Sequence, residues 1–270
     1  MDRKNYPIGM FDSGSGGLTV MREIIKVLPN EELIYFADTA RLPYGSKSRE
    51  TIIRYSIENA IFLLEHAIKI LVVPCNTASA YALDKLRNIF NIPVIGVIEP
   101  GAEKAVEVTR HGRIAVLGTK GTIQSGAYQK AIHHLMPKAN VLSIPCPLFV
   151  PFVEEKFIQH PAARLIVKEY LKPLKEHKTD TILLGCTHYP LLRHLIEEEI
   201  DSDVVIVDSA STCTEKVRQI LKERDLATKK NVPPTHKYYA SDDPEKFKIL
   251  GAEILGLPIE NVSFPSFHHL

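Results

Sequence analysis

Short, continuous apolar runs alternate along most of the chain with longer stretches whose apolar residues recur at helical spacing. The runs predict strands over Pro7–Phe11, Leu33–Ala37, Ile68–Val73, Pro93–Val97, Arg113–Leu117, Asn140–Ile144, Thr181–Leu184 and Val204–Val207. They are rich in β-branched residues and do not alternate with polar ones, as expected of strands covered on both faces. The intervening stretches predict helices over Leu18–Leu28, Ser48–Ala67, Ala78–Phe90, Glu103–Thr109, Ile123–Leu135, Pro161–Lys175, Pro190–Glu199 and Thr212–Glu223. Alternation of this kind builds parallel sheets with crossover helices. A linker-like stretch, Lys229–Thr235, precedes an expected strand (His236–Ala240), a helix (Pro244–Leu255) and an extended end.

The pattern approximately repeats. Ile8-Gly9-Met10-Phe11-Asp12-Ser13-Gly14 leads into a helix much as Ile114-Ala115-Val116-Leu117-Gly118-Thr119-Lys120-Gly121 does. Val72-Val73-Pro74-Cys75-Asn76-Thr77 and Leu183-Leu184-Gly185-Cys186-Thr187-His188 repeat at nearly the same offset. Two similar α/β units are expected, with mainly parallel sheets and an active site in the cleft between them, because open α/β sheets bind ligands outside the carboxyl ends of their strands.

One cysteine at a strand end is ordinarily packing. Two in equivalent places, each followed by small polar residues and an expected helix, point to chemistry instead. A helix N-terminus favours anions and lowers the pKa of a thiol. Two such thiols facing one substrate would be acid/base groups on opposite sides of a reacting carbon. Cys146 and Cys213 lack this setting and are expected to pack.

Other loops add candidates. Asp12-Ser13-Gly14-Ser15-Gly16-Gly17 brings backbone close to a ligand, but Thr19 replaces the third glycine of a dinucleotide fingerprint and no Gly-Lys-Ser/Thr follows. Asp12 suits a substrate ammonium group. Pro43-Tyr44-Gly45 forms a rigid turn, and Arg41 is either a carboxylate binder or a solvated surface residue. His188, two residues after Cys186, is a candidate acid/base or thiolate partner. His133-His134 and His268-His269 match no metal template and read as surface residues.

Composition narrows the classes. Hydrophobic residues make up 45%, charged residues 24%, and the net charge is +1, so no basic excess points to nucleic acid. No apolar run approaches a membrane helix, and Met1–Phe11 lacks a signal-peptide layout. A cytoplasmic protein with reduced thiols is expected. From the residues alone two other classes stay open: a zinc enzyme using Cys75, Cys186 and His188, and a two-lobed amino-acid binding protein.

Four ordered blocks carry a resemblance. Phe11–Val20, Ala37–Gly45, Pro74–Ser79 and Gly185–Pro190, with Gly118, Thr119 and Thr122, resemble the bacterial glutamate racemases of the aspartate/glutamate racemase superfamily. The likeness runs from residue 8 to about residue 210. It implies two α/β domains, expected at 1–97 with 209–270 and at 98–208. It further implies cofactor-independent interconversion of L- and D-glutamate, supplying D-glutamate for peptidoglycan, with no metal and with a homodimer expected. Cys75 and Cys186 would be the two catalytic bases. Asp12, Ser13, Tyr44, Gly45, Asn76, Thr77, Thr187 and His188 would contact substrate, and Asp12, His188, Glu154, Thr119 and Thr122 would assist. Glu155 is adjacent to Glu154, so the register there stays open. Aspartate or another amino acid is the alternative substrate.

Overall fold

The computed structural model describes residues 3–265, so the His268-His269 pair lies outside the described residues. The first part of the chain runs β1 (Ile8–Asp12), α1 (Leu18–Val27), β2 (Leu33–Ala37), α2 (Arg49–Leu64), β3 (Ile70–Val73), α3 (Asn76–Ile89) and β4 (Val94–Gly96). The second runs α4 (Ile98–Val108), β5 (Arg113–Gly118), α5 (Lys120–Ser125), α6 (Ala127–Leu135), β6 (Asn140–Pro145), α7 (Phe149–Glu154), α8 (Pro161–His177), β7 (Thr181–Gly185), α9 (Arg193–Glu197) and β8 (Val205–Asp208). The tail supplies α10 (Ser209–Glu223), β9 (Lys237–Ala240) and α11 (Pro244–Leu255).

These strands make two parallel sheets, in the orders β4-β3-β1-β2-β9 and β6-β5-β7-β8. Read in the opposite direction, the second order is β8-β7-β5-β6. It repeats the first four strands of the other sheet, with β9 added beside β2. The sequence repeat is therefore a repeat of topology. In each sheet the chain reverses its direction of strand addition between the first strand and the third, which leaves a crevice beyond the carboxyl ends of β1 and β3, and of β5 and β7.

Each sheet is covered on both faces, as its unbroken apolar strands require. Met10, Tyr35 and Val72 pack with α1, α10 and α11, while Phe11, Phe36 and Val73 pack with α2 and α3. Leu117 and Leu184 pack with α7 and α8, and Val116 and Leu183 with α4 and α6. Two helices cross over. α4 follows a strand of the first sheet but buries Ile98, Ala102 and Ala105 against the second. α10 follows a strand of the second sheet but buries Cys213, Val217 and Leu221 against the first.

Element boundaries differ from the sequence reading where local exceptions operate. α4 starts five residues before the expected Glu103, because Pro100 sits in its first turn, where no N–H is needed. The expected helix over Ile123–Leu135 begins earlier, capped by the Thr119 hydroxyl on the Thr122 N–H, and breaks at Gly126, whose φ is +66°. Phe149–Glu154, too short for periodicity to reveal, is α7. The expected helix over Pro190–Glu199 is a three-ten turn, Tyr189–Leu192, followed by the short α9. Among the described residues no helix is long and apolar enough to cross a membrane.

Candidate active site

Four strand ends meet at one point. β1 ends at Asp12, β3 runs through Pro74 into Cys75, β5 runs into Thr119, and β7 runs into Cys186. They enclose a cavity of about 20 Å³. That is room for roughly one water. Ser13, Tyr44, Gly45, Cys75, Asn76 and Thr77 line it from the first sheet's side, and Thr119, Cys186, Thr187 and His188 from the second's. Both sequence-selected cysteines thus reach one cavity from opposite walls. Leu42, Pro43 and Val150 complete the lining. Val150 carried no sequence signal, because the helix that presents it was not legible.

Asp12 lies behind the wall and is fully buried. Its Oδ2 accepts the Gly14 N–H at 3.1 Å and its Oδ1 the Thr187 hydroxyl at 3.4 Å. Burial pushes its carboxyl up to about 6, against the pull of His188 and of backbone N–H groups.

The two thiols have unlike surroundings. The Cys75 Sγ sits 3.8 Å from Ser13 Oγ. Cys75 stands at the N-cap position of α3, where the sequence reading expects it, but its side chain takes no capping hydrogen bond, and the nearby Ala78 N–H only partly favours the thiolate. Yet burial, followed by the nearby Asp12 charge, raises this thiol's pKa rather than lowering it. The expectation of a depressed pKa is therefore corrected for Cys75. In a cavity with room for about one water, one helix N-terminus does not replace the hydration that a thiolate loses. No α-helix follows Cys186 directly. Its neighbour is His188, with Nδ1 at 3.8 Å from the sulfur.

His188 Nε2 lies 2.6 Å from Glu154 Oε1, and the Ser15 hydroxyl donates to the same oxygen at 2.9 Å. Glu155 turns outward to Lys246 at 3.0 Å, so the register left open by the sequence resolves to Glu154. Burial alone would disfavour a charged His188, but its contacts with Cys186 and Glu154 outweigh this and hold the imidazolium well above its ordinary range. Burial likewise opposes the Glu154 carboxylate, and the bonds from His188 and Ser15 bring it below its ordinary range.

Three hydroxyls join the walls. Thr77 Oγ1 lies 2.9 Å from Thr119 Oγ1 and 3.1 Å from Thr122 Oγ1. Other candidates are engaged elsewhere. The Asn76 carboxamide donates to Ser209 Oγ at 3.2 Å and accepts from Tyr128 at 2.6 Å, contacts that fix its side chain at the cavity wall. Tyr44 donates its hydroxyl to Asp38, which anchors the Pro43–Gly45 turn. Arg41 does not face the cavity. It pairs with Asp38 at 2.7 Å, with Glu58, and with Asn59 at 2.8 Å, because those acceptors surround it once the second strand and α2 pack.

Cys146 and Cys213 are buried and unpaired, as expected of packing residues. His133 bonds the Ala139 carbonyl at 3.0 Å, and His134 is exposed. Among the described residues no group of three His, Cys, Asp or Glu side chains is placed to hold a metal ion.

Two thiols at the strand ends of two topologically repeated parallel sheets define a class of protein, and comparison gives it the same name. Residues 8–217 match the Asp/Glu/hydantoin racemase family, and the chain belongs to that family. Within it, relatives at 42–52% identity include glutamate racemases, as the four sequence blocks imply. That of Geobacter metallireducens is 52% identical over 249 residues, 92% of each chain. A glutamate racemase isoform of Bacillus anthracis superposes with a TM-score of 0.94 at 40% identity, covering 98% of both chains. The Francisella tularensis glutamate racemase, solved with D-glutamate, gives 0.92 at 36% identity, covering 98% of this chain and 99% of that one.

Proposed function

We propose that this cavity interconverts L- and D-glutamate by a two-base proton transfer. Glutamate racemisation is the activity of the chain, and it places the protein in the supply of D-glutamate for peptidoglycan. The observation that carries the mechanism is that Cys75 and Cys186 line one cavity from opposite walls.

Removing the Cα proton of an amino acid leaves charge that spreads onto the α-carboxylate. Preorganised donors aimed at that carboxylate lower the barrier. The hydroxyls of Ser13, Thr77, Thr119 and Thr187 and the backbone at the starts of α3 and α5 surround the position it would occupy. Asp12, behind the wall in the closed arrangement, would meet the ammonium group once the walls part to admit substrate. On one face the thiolate of Cys186 takes the Cα proton of L-glutamate, and the thiol of Cys75 then delivers its own to the other face of the carbanion. D-Glutamate reacts in reverse, with Cys75 as the base. One proton is taken and one given in each turnover, so the protein ends with its two thiol states exchanged and no net charge change. His188, held by Glu154, supplies a positive charge on the Cys186 side.

The cavity holds about one water, so the substrate enters only when the walls part. Two units, 1–97 with 209–270 and 98–208, moving as lobes would open it and on closing expel water. Self-association as a homodimer and a cytoplasmic location belong to the same reading. Sedimentation of the full chain tests the former.

The direct test is circular dichroism of L-glutamate with purified protein, a chelator, and no pyridoxal phosphate, run in deuterium oxide. Racemisation should proceed, and product from either enantiomer should carry deuterium at Cα, because the incoming proton comes from a solvent-exchanged thiol. Product that keeps the substrate's hydrogen rejects the two-base route. Turnover of aspartate but not glutamate rejects the substrate.

Asp12 gives a pH test. Its carboxyl, raised by burial to about 6, must be ionised to hold an ammonium group. As pH falls through about 6 the carboxylate is lost, so kcat/KM should fall about tenfold per unit below that point. Asp12→Asn should be slow throughout and lack this limb. An unchanged limb in that variant would assign it to another group.

A further inference from the structure

We infer that Ser15 is a positioning residue for proton transfer at Cys186, acting from the opposite wall by fixing the Glu154 carboxylate against His188. The inference rests on the two-cysteine reading above. Ser15 lies in the turn after β1, whereas Glu154 ends α7 and His188 follows β7, so the contact spans the cleft. A single oxygen, Glu154 Oε1, takes both the Ser15 hydroxyl at 2.9 Å and His188 Nε2 at 2.6 Å. A carboxylate oxygen has two acceptor positions, and these two partners occupy them. Any rotation of the carboxylate away from His188 therefore also breaks the bond to Ser15.

The Ser15 backbone is itself fixed, since its carbonyl accepts the Leu18 N–H at the start of α1. Ser15 is 2% exposed but with Glu154 borders a hollow beside α11, so a deleted hydroxyl leaves the carboxylate with solvent in place of a fixed partner. The sequence of contacts is Ser15, Glu154, His188, then the Cys186 sulfur 3.8 Å from Nδ1. Cys75 has no matching arrangement, because its hydroxyl neighbour, Ser13, meets the sulfur directly. Ser15 thus acts on one of the two half-reactions. Because the bond crosses the cleft, it is complete only when the walls are together, which ties the orientation of His188 to closure.

Kinetics of the full chain test this. Ser15→Ala, Glu154→Gln and the double variant are compared using Cα-deuterated L- and D-glutamate. Ser15→Ala should lower kcat/KM about three- to tenfold, equally in both directions, since the equilibrium between enantiomers is fixed. The barrier raised is the one at Cys186. The deuterium effect on kcat/KM should therefore rise for L-glutamate, whose proton Cys186 takes, and fall for D-glutamate. In the Glu154→Gln background the same change should cost less than about twofold, as coupled residues require. Isotope effects are ratios of rates, so the folded fraction does not enter them, and a purely structural loss would move neither. Unchanged isotope effects, or fully additive losses, would overturn the role of Ser15. Cys186→Ser run alongside separates the two claims. If it still racemises glutamate, the two-cysteine reading itself fails. If it is inactive while the Ser15→Ala isotope effects stay unchanged, only the Ser15 inference fails.

Discussion

Cys75→Ser and Cys186→Ser should each reduce racemisation by more than the ~10²–10⁴ that one acid/base group ordinarily contributes. Serine keeps the shape of the site and removes its acidity. An alcohol is far less ionised than a thiol, so the base is lost on one face and the transferable proton is held more tightly. Neither cysteine can cover for the other, because they reach the cavity from opposite walls. Both directions must fall together, since the two enantiomers have equal free energy in water. Cys146→Ser and Cys213→Ser change buried packing residues outside the cavity lining, so turnover per folded molecule should stay within a few-fold. Polarimetry or chiral chromatography on both enantiomers decides it. Near-normal racemisation by either Cys75→Ser or Cys186→Ser would reject the mechanism.

Gly45→Ala and Gly16→Ala should cost activity on the order of 10²-fold while leaving the fold in place. A Cβ on Gly45 would lie 2.4 Å from Thr119 Cβ, and one on Gly16 would lie 2.4 Å from His188 Nδ1 and 2.6 Å from Thr187 Oγ1. Neither glycine has a positive φ, so close approach across the cleft, not backbone conformation, is what demands it. The added methyl wedges the two walls apart, and a displacement of about 1 Å at a catalytic constellation costs on the order of 10² in rate. The clash is relieved by parting the walls, so melting temperature should move only a few degrees. Gly126→Ala is the contrasting case. It forces alanine to φ +66°, where beyond its own chain neighbours and helix backbone the new Cβ meets only Lys130 Cε, at 3.8 Å. It should cost roughly 1–2 kcal/mol of stability and leave kcat/KM intact. Thermal melts and initial rates on the three variants separate the two effects. Full activity in Gly45→Ala would show that the closed arrangement is not the reactive one.

The legible part of this protein is its strand ends. Asp12, Cys75 and Cys186 are marked by short-range pattern, an apolar run stopping at a polar residue, and Thr119 by the resemblance; all four lie where β1, β3, β5 and β7 end. The paired loops also showed the repeat, which the strand orders reproduce as matching topology. Helices with strong periodicity are legible to within a few residues. α7 is not legible, because six residues containing Pro151 give no periodicity to read.

What stayed illegible depends on contacts between distant segments. Arg41 looked free to bind a carboxylate until Asp38, Glu58 and Asn59 came together around it. The bonds from Asn76 to Tyr128 and Ser209, which orient its carboxamide, join residues far apart in sequence. The thiols looked equivalent because each follows an apolar run. In the folded chain Cys75 meets Ser13 and the start of α3, while Cys186 meets His188.

By itself, then, the sequence determined the alternation of elements, the repeat, the two cysteines and the family resemblance, because each is written in residues close together along the chain. The tertiary structure decided that Glu154 rather than Glu155 faces His188, that Ser15 meets it from the other wall, and that burial raises the pKa of Cys75. Those outcomes depend on which turn of a helix faces a partner far away in sequence and on how completely the closed cleft excludes water. Neither is encoded in any local stretch of residues.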